Sequence, residues 1–217
     1  MTADGRVARG ERTRAAVLQR AADIASVDGL DGLSIGRLAA DLTVSKAGVF
    51  AHFGSKEELQ LATIRAARER FTAEVVAPAL DVPDGLDRLV ALCERWLDYS
   101  RSGVFPGGCF FFSVAAEYDA KPGRVRDEIA AARRLWLGTY EAVIASARRR
   151  GDIDAEVDPA VLAFELDALG MAANLHAQLC DDPSAYDRAR AVMFTRLRSA
   201  ATVPHAALRD LPLTEEP

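Results

Sequence analysis

The sequence is poor in cysteine and has neither a long apolar run nor a recognisable leader. Its three cysteines, Cys93, Cys109 and Cys180, are odd in number and widely spaced, which argues against disulfide and zinc frameworks. No apolar stretch approaches the ~18 residues that a membrane-spanning helix needs. Residues 1–10 lack the apolar segment of a signal peptide. We therefore expect a cytoplasmic protein that uses no membrane, metal or other cofactor.

Signatures of catalysis are also missing. The chain has no glycine-rich phosphate loop and no paired-carboxylate motif. Cys109 stands at no recognisable spacing from any of the three histidines, so a cysteine-dependent enzyme is the weakest alternative and we expect no enzymatic activity. Cys109 itself is either a sensor of oxidants or an inert core cysteine. The second is favoured because no Lys, Arg or His adjoins it in sequence.

The composition favours an all-α fold. Half of the residues are hydrophobic, alanine and leucine dominate, and β-branched runs are sparse. Apolar residues at helical spacing, interrupted by Gly- and Pro-rich breaks, predict about nine helices. Their predicted extents are roughly residues 11–28, 35–42, 45–53, 56–78, 86–100, 109–119, 125–150, 160–180 and 184–201.

The charge is distributed unevenly along the chain. The net charge is −5, yet residues 1–70 hold 11 Lys and Arg against 9 Asp and Glu, whereas residues 71–217 hold 16 against 23. A slightly basic N-terminal part followed by an acidic remainder is compatible with nucleic-acid binding through the N-terminal part only.

The stretch "TVSKAGVFAHFGSKEEL", residues 43–59, contains a short helix with unusually small surface residues. Val49 and Phe53 are its apolar anchors, and the opposite face carries Ala47, Gly48 and Ala51. A glycine inside a helix costs about 1 kcal/mol relative to alanine. A helix that enters the major groove needs small side chains for close approach, so we predict the recognition helix of a helix-turn-helix. The alternative is tight packing against another helix, with His52 an ordinary surface histidine.

The segment "LSIGRLAADLTVSKAGVFAHFGSKEELQLATI" resembles the DNA-binding domain of the TetR/AcrR family of bacterial transcriptional regulators, from about residue 11 to 64. The resemblance implies an N-terminal arm and helix-turn-helix domain over residues 1–54. It also implies a divergent helical domain over 55–203 that binds a small ligand and dimerises. We expect a flexible tail over 204–217. A fourth helix joins the two domains.

Pattern and resemblance together assign a set of residues to double-stranded operator DNA. Two positions depart from the family: Phe50 stands where a tyrosine usually meets a phosphate, and Ala51 where a larger residue is common. These departures give some support to an alternative, a helical interaction module without DNA binding. The predicted DNA-binding residues are Ser34, Arg37, Thr43, Ser45, Lys46, Ala47, Gly48, Phe50, Ala51, His52 and Lys56.

The second domain is expected to bind a small apolar effector. Aromatic residues cluster in the middle of the chain, and polar residues interrupt the apolar faces of a later helix, as in a ligand pocket; the alternative is that the aromatics are simply core. The predicted ligand contacts are Trp96, Phe112, Tyr118, Trp136, Tyr140, Asn174 and Gln178.

The last two long helices are rich in apolar and small residues: Leu162, Leu166, Leu169, Ala173 and Leu175 on one, and Val192, Met193, Phe194 and Leu197 on the other. Two such helices per chain can pair with their symmetry mates as a four-helix bundle; alternatively, they cap the core of a monomer. We favour a homodimer, because one helix-turn-helix alone reads too few base pairs. The leading hypothesis is a ligand-responsive, dimeric repressor.

Overall fold

The computed structural model describes residues 3–208, without the side chains of residues 3–7, 9 and 207. That part of the chain is helical and has no β-strand, only an isolated bridge between Ile153 and Ala201. No helix in it is long and apolar enough to cross a membrane. The α-helices are α1 (Ala3–Asp28), α2 (Ile35–Asp41), α3 (Lys46–Phe53), α4 (Lys56–Phe71), α5 (Ala77–Leu80), α6 (Leu86–Arg101), α7 (Phe110–Tyr118), α8 (Arg124–Arg150), α9 (Pro159–Leu179) and α10 (Ser184–Ala200).

One continuous helical stretch contains α4, a π-helical turn at Thr72–Val76 and α5. Pro78 explains the wide turn, because its nitrogen carries no hydrogen and its ring clashes with the carbonyl four residues earlier. The backbone N–H of Ala77 bonds instead to Thr72 O. Counting this stretch once, the described residues form nine helices, which confirms the predicted all-α class.

Serine side chains begin the helices of the 34–58 region as the sequence predicts. Ser34 Oγ accepts a hydrogen bond from the backbone N–H of Arg37, and Ser45 Oγ accepts one from Gly48. Ser55 Oγ likewise accepts one from Glu58. Ser55 and Glu58 do not form the reciprocal bond of a capping box, because the Glu58 carboxylate accepts a bond from Arg124 instead, at 2.7 Å.

The chain divides into two compact units, and the first comprises residues 1–70 and 105–132. In it α1, α2 and α3 pack around a common core in which Val17, Leu38 and Val49 are fully buried. α7 packs on α1. The packing boundaries therefore differ from the predicted limits at residues 54 and 203, which describe functional domains and stay a prediction.

The second unit comprises residues 71–104 and 133–217. α9 and α10 pack along each other and against α6. The core of this unit includes Leu89, Cys93, Leu166 and Leu197, none more than 1% exposed.

The ends of the chain differ from the sequence prediction. α1 begins at Ala3, so residues 3–9 are helical and do not form the expected basic arm. At the other end, Ala206–Leu208 form a 3₁₀ turn, Leu208 is buried, and its carbonyl accepts a bond from Arg198. The predicted flexible tail over residues 204–217 stays a prediction; residues 209–217 lie outside the described part.

Candidate nucleic-acid interface

The exposed face of α3 is made almost entirely of carbon. Val49 and Phe53 are buried against α1 and α2, while Ala47, Phe50 and Ala51 are exposed. An α-helix turns about 100° per residue, so Ala47 and Ala51 point directly away from the buried pair. Phe50 lies on one flank of this face and Gly48 on the other.

Gly48 lies on the surface and is not packed against another helix. A Cβ placed there would have one neighbour within 4 Å, the Oγ of the capping Ser45 at 3.0 Å. The alternative explanation, tight helix packing, is therefore wrong for this glycine. What remains is the close approach of something outside the chain.

Basic side chains surround the carbon face of α3 but do not lie on it. The Lys46 side chain folds back beside α2, where its Nζ would lie 3.7 Å from a Cβ at Gly36. His52 is half-buried on the other side, where its Cε1 would lie 4.0 Å from a Cβ added at Gly10 of α1. Arg14 stacks over the Phe53 ring at 5.6 Å.

The remaining predicted DNA contacts lie in α2, in the turns that adjoin α2 and α3, and at the start of α4. Ser34, Arg37, Thr43, Ser45 and Lys56 are all exposed. Arg37 pairs with Asp28 at 2.6 Å, and Lys56 Nζ donates to the carbonyl of Asp31 at 2.6 Å. To bind a DNA phosphate, Arg37 and Lys56 would have to share these partners with the phosphate or exchange them for it.

Thr43 adopts a left-handed conformation with φ 55° in the turn between α2 and α3. Non-glycine residues rarely adopt it. The turn is held by the backbone N–H groups of Thr43 and Val44, which donate to Ala40 O and Ala39 O. Thr43 is exposed at this corner, where a hydroxyl can meet the DNA backbone.

A polar cluster holds the turn between α1 and α2 to α4 and α7. The Glu117 carboxylate accepts bonds from the backbone N–H groups of Leu30 at 2.6 Å and Asp31 at 2.9 Å. Asp31 accepts further bonds from Tyr118 Oη and Lys121 Nζ, both at 2.8 Å. Gln60 on α4 donates to Leu30 O at 2.9 Å and to Tyr118 Oη at 3.1 Å.

The cluster shifts the titration of its members. The hydrogen bonds from Lys121 and Tyr118 lower the pKa of Asp31. The bond to Asp31 raises the pKa of Lys121. Burial, followed by the bond to Asp31, raises the pKa of Tyr118. The ion pair and the neutral phenol therefore coexist at neutral pH.

Three of the predicted ligand contacts meet in the core of the second unit. Trp136 lies edge-on to Trp96, with ring centroids 5.6 Å apart, and to Tyr140 at 4.6 Å. Trp136 Nε1 also donates to Asp167 at 3.0 Å, and Arg133 holds the same carboxylate. Gly170 lies against Trp96 so closely that any side chain there would overlap the indole. These three side chains are therefore buried in the core in this structure, and their predicted contact with a ligand stays a prediction.

The other predicted ligand contacts are dispersed. Phe112 and Tyr118 belong to the first unit, and Tyr118 is engaged in the polar cluster. On α9, Asn174 is buried and accepts a bond from Tyr186 at 3.4 Å, whereas Gln178 is exposed. A ligand-binding role for these residues stays a prediction.

The exposed face of α9 carries an apolar stripe, of which the sequence analysis named only Leu175. Phe164 is 68% exposed and Leu179 75%, while Leu162 and Leu166, which were emphasised for dimerisation, are buried within the unit. The missed signal is a second run of apolar residues at spacings of three and four. It comprises Val161, Phe164, Ala168, Ala172, Leu175 and Leu179.

The cysteines form no disulfide. Cys109 is buried, which favours the core interpretation over a sensor. Cys93 is fully buried beside Tyr140 Oη at 3.7 Å, and burial raises the pKa of its thiol to about 12. A buried neutral thiol of this kind is unreactive.

Comparisons with known proteins agree with this geometry. Residues 17–63 match the family model described as bacterial regulatory proteins, tetR family, and residues 85–193 match the model described as tetracyclin repressor-like, C-terminal domain. Among curated protein sequences, none matches the chain significantly.

Solved structures share the fold over most of the chain. A TetR transcriptional regulator from Chloroflexus aurantiacus J-10-FL is 25% identical, with a TM-score of 0.82 over 89% of this chain and 98% of that one. SCO4454, a TetR-family regulator from Streptomyces coelicolor, is 26% identical, with a TM-score of 0.75 over 88% and 96%. AibR, solved with isovaleryl coenzyme A and operator DNA, is 23% identical, with a TM-score of 0.65 over 84% and 95%.

Proposed function

Because the chain belongs to the TetR family of bacterial regulatory proteins, which are DNA-binding transcription factors and not enzymes, we propose that it is a ligand-responsive repressor. It acts in the cytoplasm, binds operator DNA as a homodimer and leaves the operator when a small apolar molecule binds. Family membership removes the cysteine-dependent enzyme as an alternative.

The observation that carries the proposal is the exposed, small-residue face of α3 with cations at its margins. Ala47, Gly48 and Ala51 let the helix axis come close to base edges. Lys46 and Lys56 stand where phosphates flank the groove, and phosphate contacts fix position and register. An interaction module without DNA binding would have no need of an unpacked glycine at this point.

Dimerisation is proposed to use the exposed stripe of α9. Its apolar side chains run along a helix of 21 residues that contains no Lys or Arg. The neighbouring Val192 of α10 is also exposed. Exposed apolar surface of this extent marks an interface, and pairing with a symmetry mate completes a four-helix bundle.

The effector is proposed to bind in the second unit and to contact the aromatic cluster around Trp136. This cluster offers apolar area, and Tyr140 and Asn174 add polar atoms. AibR, which has the same fold, was solved with isovaleryl coenzyme A and operator DNA, which supports a site for a small molecule, besides the one for DNA, in a chain of this fold.

Coupling between effector and DNA is proposed to run through α8 and the polar cluster. α8 belongs to the first unit up to Ala132 and to the second from Arg133. Arg124 at its start pairs with Glu57 and Glu58 at the start of α4. An effector acts only by preferring one conformation of the protein, so it must favour one in which α3 no longer fits the groove.

The test is a mobility-shift assay on DNA that flanks the gene, followed by a thermal-shift screen of apolar compounds. We expect sequence-specific binding that weakens steeply with salt, because each phosphate contact releases counterions. Compounds that raise the melting temperature are then tested for release of DNA. A compound that stabilises the protein and leaves DNA affinity unchanged contradicts the coupling, while salt-independent binding contradicts the DNA interface.

A further inference from the structure

The carbon face of α3 limits which groups of the DNA bases the protein can recognise. Its exposed side chains are Ala47 and Ala51, which point away from the core, and Phe50 on one flank, which is 53% exposed. None of these three side chains can donate or accept a hydrogen bond. Sequence discrimination by this face therefore has to use apolar contacts.

The polar residues of α3 are directed elsewhere. Lys46 lies along α2 beside Gly36, and His52 lies beside Gly10 of α1. Ser45 Oγ already accepts the bond from the backbone N–H of Gly48. These three side chains stand at the edges of the face, where the DNA strands rather than the base edges pass.

In the major groove a single base presents an apolar group, the C5-methyl of thymine. We infer that α3 reads its operator through thymine methyl groups, with Phe50 as the principal specificity-determining residue. Ala47 and Ala51 make the closer contacts beside it. This inference rests on the proposed function, since it takes α3 to lie in the major groove.

The length of the helix limits the number of bases involved. Eight residues span about 12 Å, which corresponds to three or four base steps of about 3.4 Å. Each half-site of the operator is therefore expected to contain a short segment in which thymines occupy two or three of the contacted positions.

The experiment begins with the full-length protein and a random pool of duplexes, from which bound sequences are selected. The selected duplex is then resynthesised with deoxyuridine in place of thymidine at one position at a time. This change removes the methyl group and keeps every hydrogen-bonding atom. We expect about fourfold weaker binding at each contacted thymine, the factor that corresponds to burying one CH₂ group.

A gain-of-contact arm tests the same claim in the opposite direction. Each contacted T·A pair is replaced by C·G and, separately, by 5-methylcytosine·G. The two replacements differ only in the methyl group. We expect the methylated duplex to bind more tightly than the unmethylated one by about the same fourfold factor.

The variant Phe50→Ala assigns the contact. We expect it to abolish the thymidine–deoxyuridine difference at one position of each half-site and to melt at the temperature of the wild type, because the side chain is exposed. The matched control is Leu135→Ala, which removes a residue of similar exposure, 59%, from the second unit. It should keep the full difference at every position.

The outcomes separate the inference from the function it rests on. Specific binding that is insensitive to deoxyuridine at every position overturns methyl readout and leaves the repressor intact. A thymidine–deoxyuridine difference that Phe50→Ala leaves unchanged at every position overturns the role of Phe50. Failure to select any sequence overturns the proposed function and this inference with it.

Discussion

The molecule exposes two apolar helix faces, and they differ in size and surroundings. The face of α3 carries Ala47, Gly48 and Ala51 on a helix of eight residues, with the ring of Phe50 on one flank and Lys46, His52 and Lys56 at its margins. The face of α9 carries Phe164, Leu175 and Leu179 on a helix of 21 residues without Lys or Arg. A short, small face bordered by cations suits a groove in a polyanion, whereas a long, bulky and uncharged face suits another helix of its own kind.

The strongest test of the first face is Gly48→Leu. A leucine side chain would hold the helix away from the base edges, so affinity should fall to that for non-specific DNA, about 10³-fold or more. The melting temperature should change little, because Gly48 packs against no other helix. Fluorescence anisotropy with selected and scrambled duplexes measures the loss.

The matched control for this change is Gly138→Leu, at another helical glycine, where an added Cβ would have no neighbour within 4 Å. This variant also replaces a helical glycine by leucine, and so changes helix propensity by the same amount, but in the second unit. It should keep full DNA affinity. If Gly48→Leu lowers the melting temperature strongly and binds DNA normally, the glycine serves the fold and our account of α3 fails.

The corresponding test of the second face is Phe164→Glu. A carboxylate in an apolar interface is costly because it loses its water without gaining a partner, so we expect the dimer to dissociate at least tenfold more readily. Sedimentation velocity over a concentration series measures this. Leu135→Glu places the same charge on an exposed apolar position off the stripe and should leave the dimer unchanged; equal effects of the two variants would place the interface elsewhere.

The cationic margin that distinguishes the faces is tested by Lys46→Ala and Lys56→Ala. Each should weaken binding to all sequences and make the slope of log affinity against log salt less negative by about one unit, because one phosphate contact is lost. Arg149→Ala, an exposed cation of the second unit, should leave the slope unchanged. A change in sequence preference alone would mean that the lysine reads bases.

The smallest effects concern the polar cluster beneath the α1–α2 turn. Tyr118→Phe removes its bonds to Asp31 and Gln60 and should lower the free energy of unfolding by about 1 kcal/mol. Chemical denaturation monitored by circular dichroism measures this change. The control Tyr186→Phe removes a tyrosine hydroxyl from the second unit and should leave DNA affinity unaffected.

The same cluster predicts a dependence on acid. The folded protein holds the pKa of Asp31 below its ordinary value of 3.8, so the stabilisation that Asp31 gives is present above about pH 4 and is lost as the pH falls through the lowered pKa. Unfolding experiments between pH 7 and 2 should show this loss, and Asp31→Asn should reduce it. An identical pH profile for the variant would contradict the role of the cluster.

The sequence was sufficient to predict α2 and α3, the two helices of the helix-turn-helix. Serine caps at 34 and 45, the spacing of Val49 and Phe53 and the exposed Gly48 are local signals, and they predict α2 and α3 to within one residue. The class of fold followed from the same periodicity.

Long-range partners were not predictable in the same way. Tyr118 carries no local sign that its hydroxyl meets Asp31, 87 residues away. Leu162 and Phe164 are both apolar residues of one helix, and only the packing of α9 on α10 and α6 determines which is buried. Periodicity identifies an apolar face but does not tell a core from an interface when a helix carries both.

The central claim, a dimer that presents two α3 helices to successive major grooves, is tested most directly by titrating the protein into three duplexes. One carries two selected half-sites, one carries a single intact half-site, and one is scrambled. We predict two chains on the first duplex, at least 100-fold weaker binding to the second, and a steep loss of affinity for the first as salt rises. Equal affinity for all three duplexes, or binding that does not respond to salt, would contradict the account.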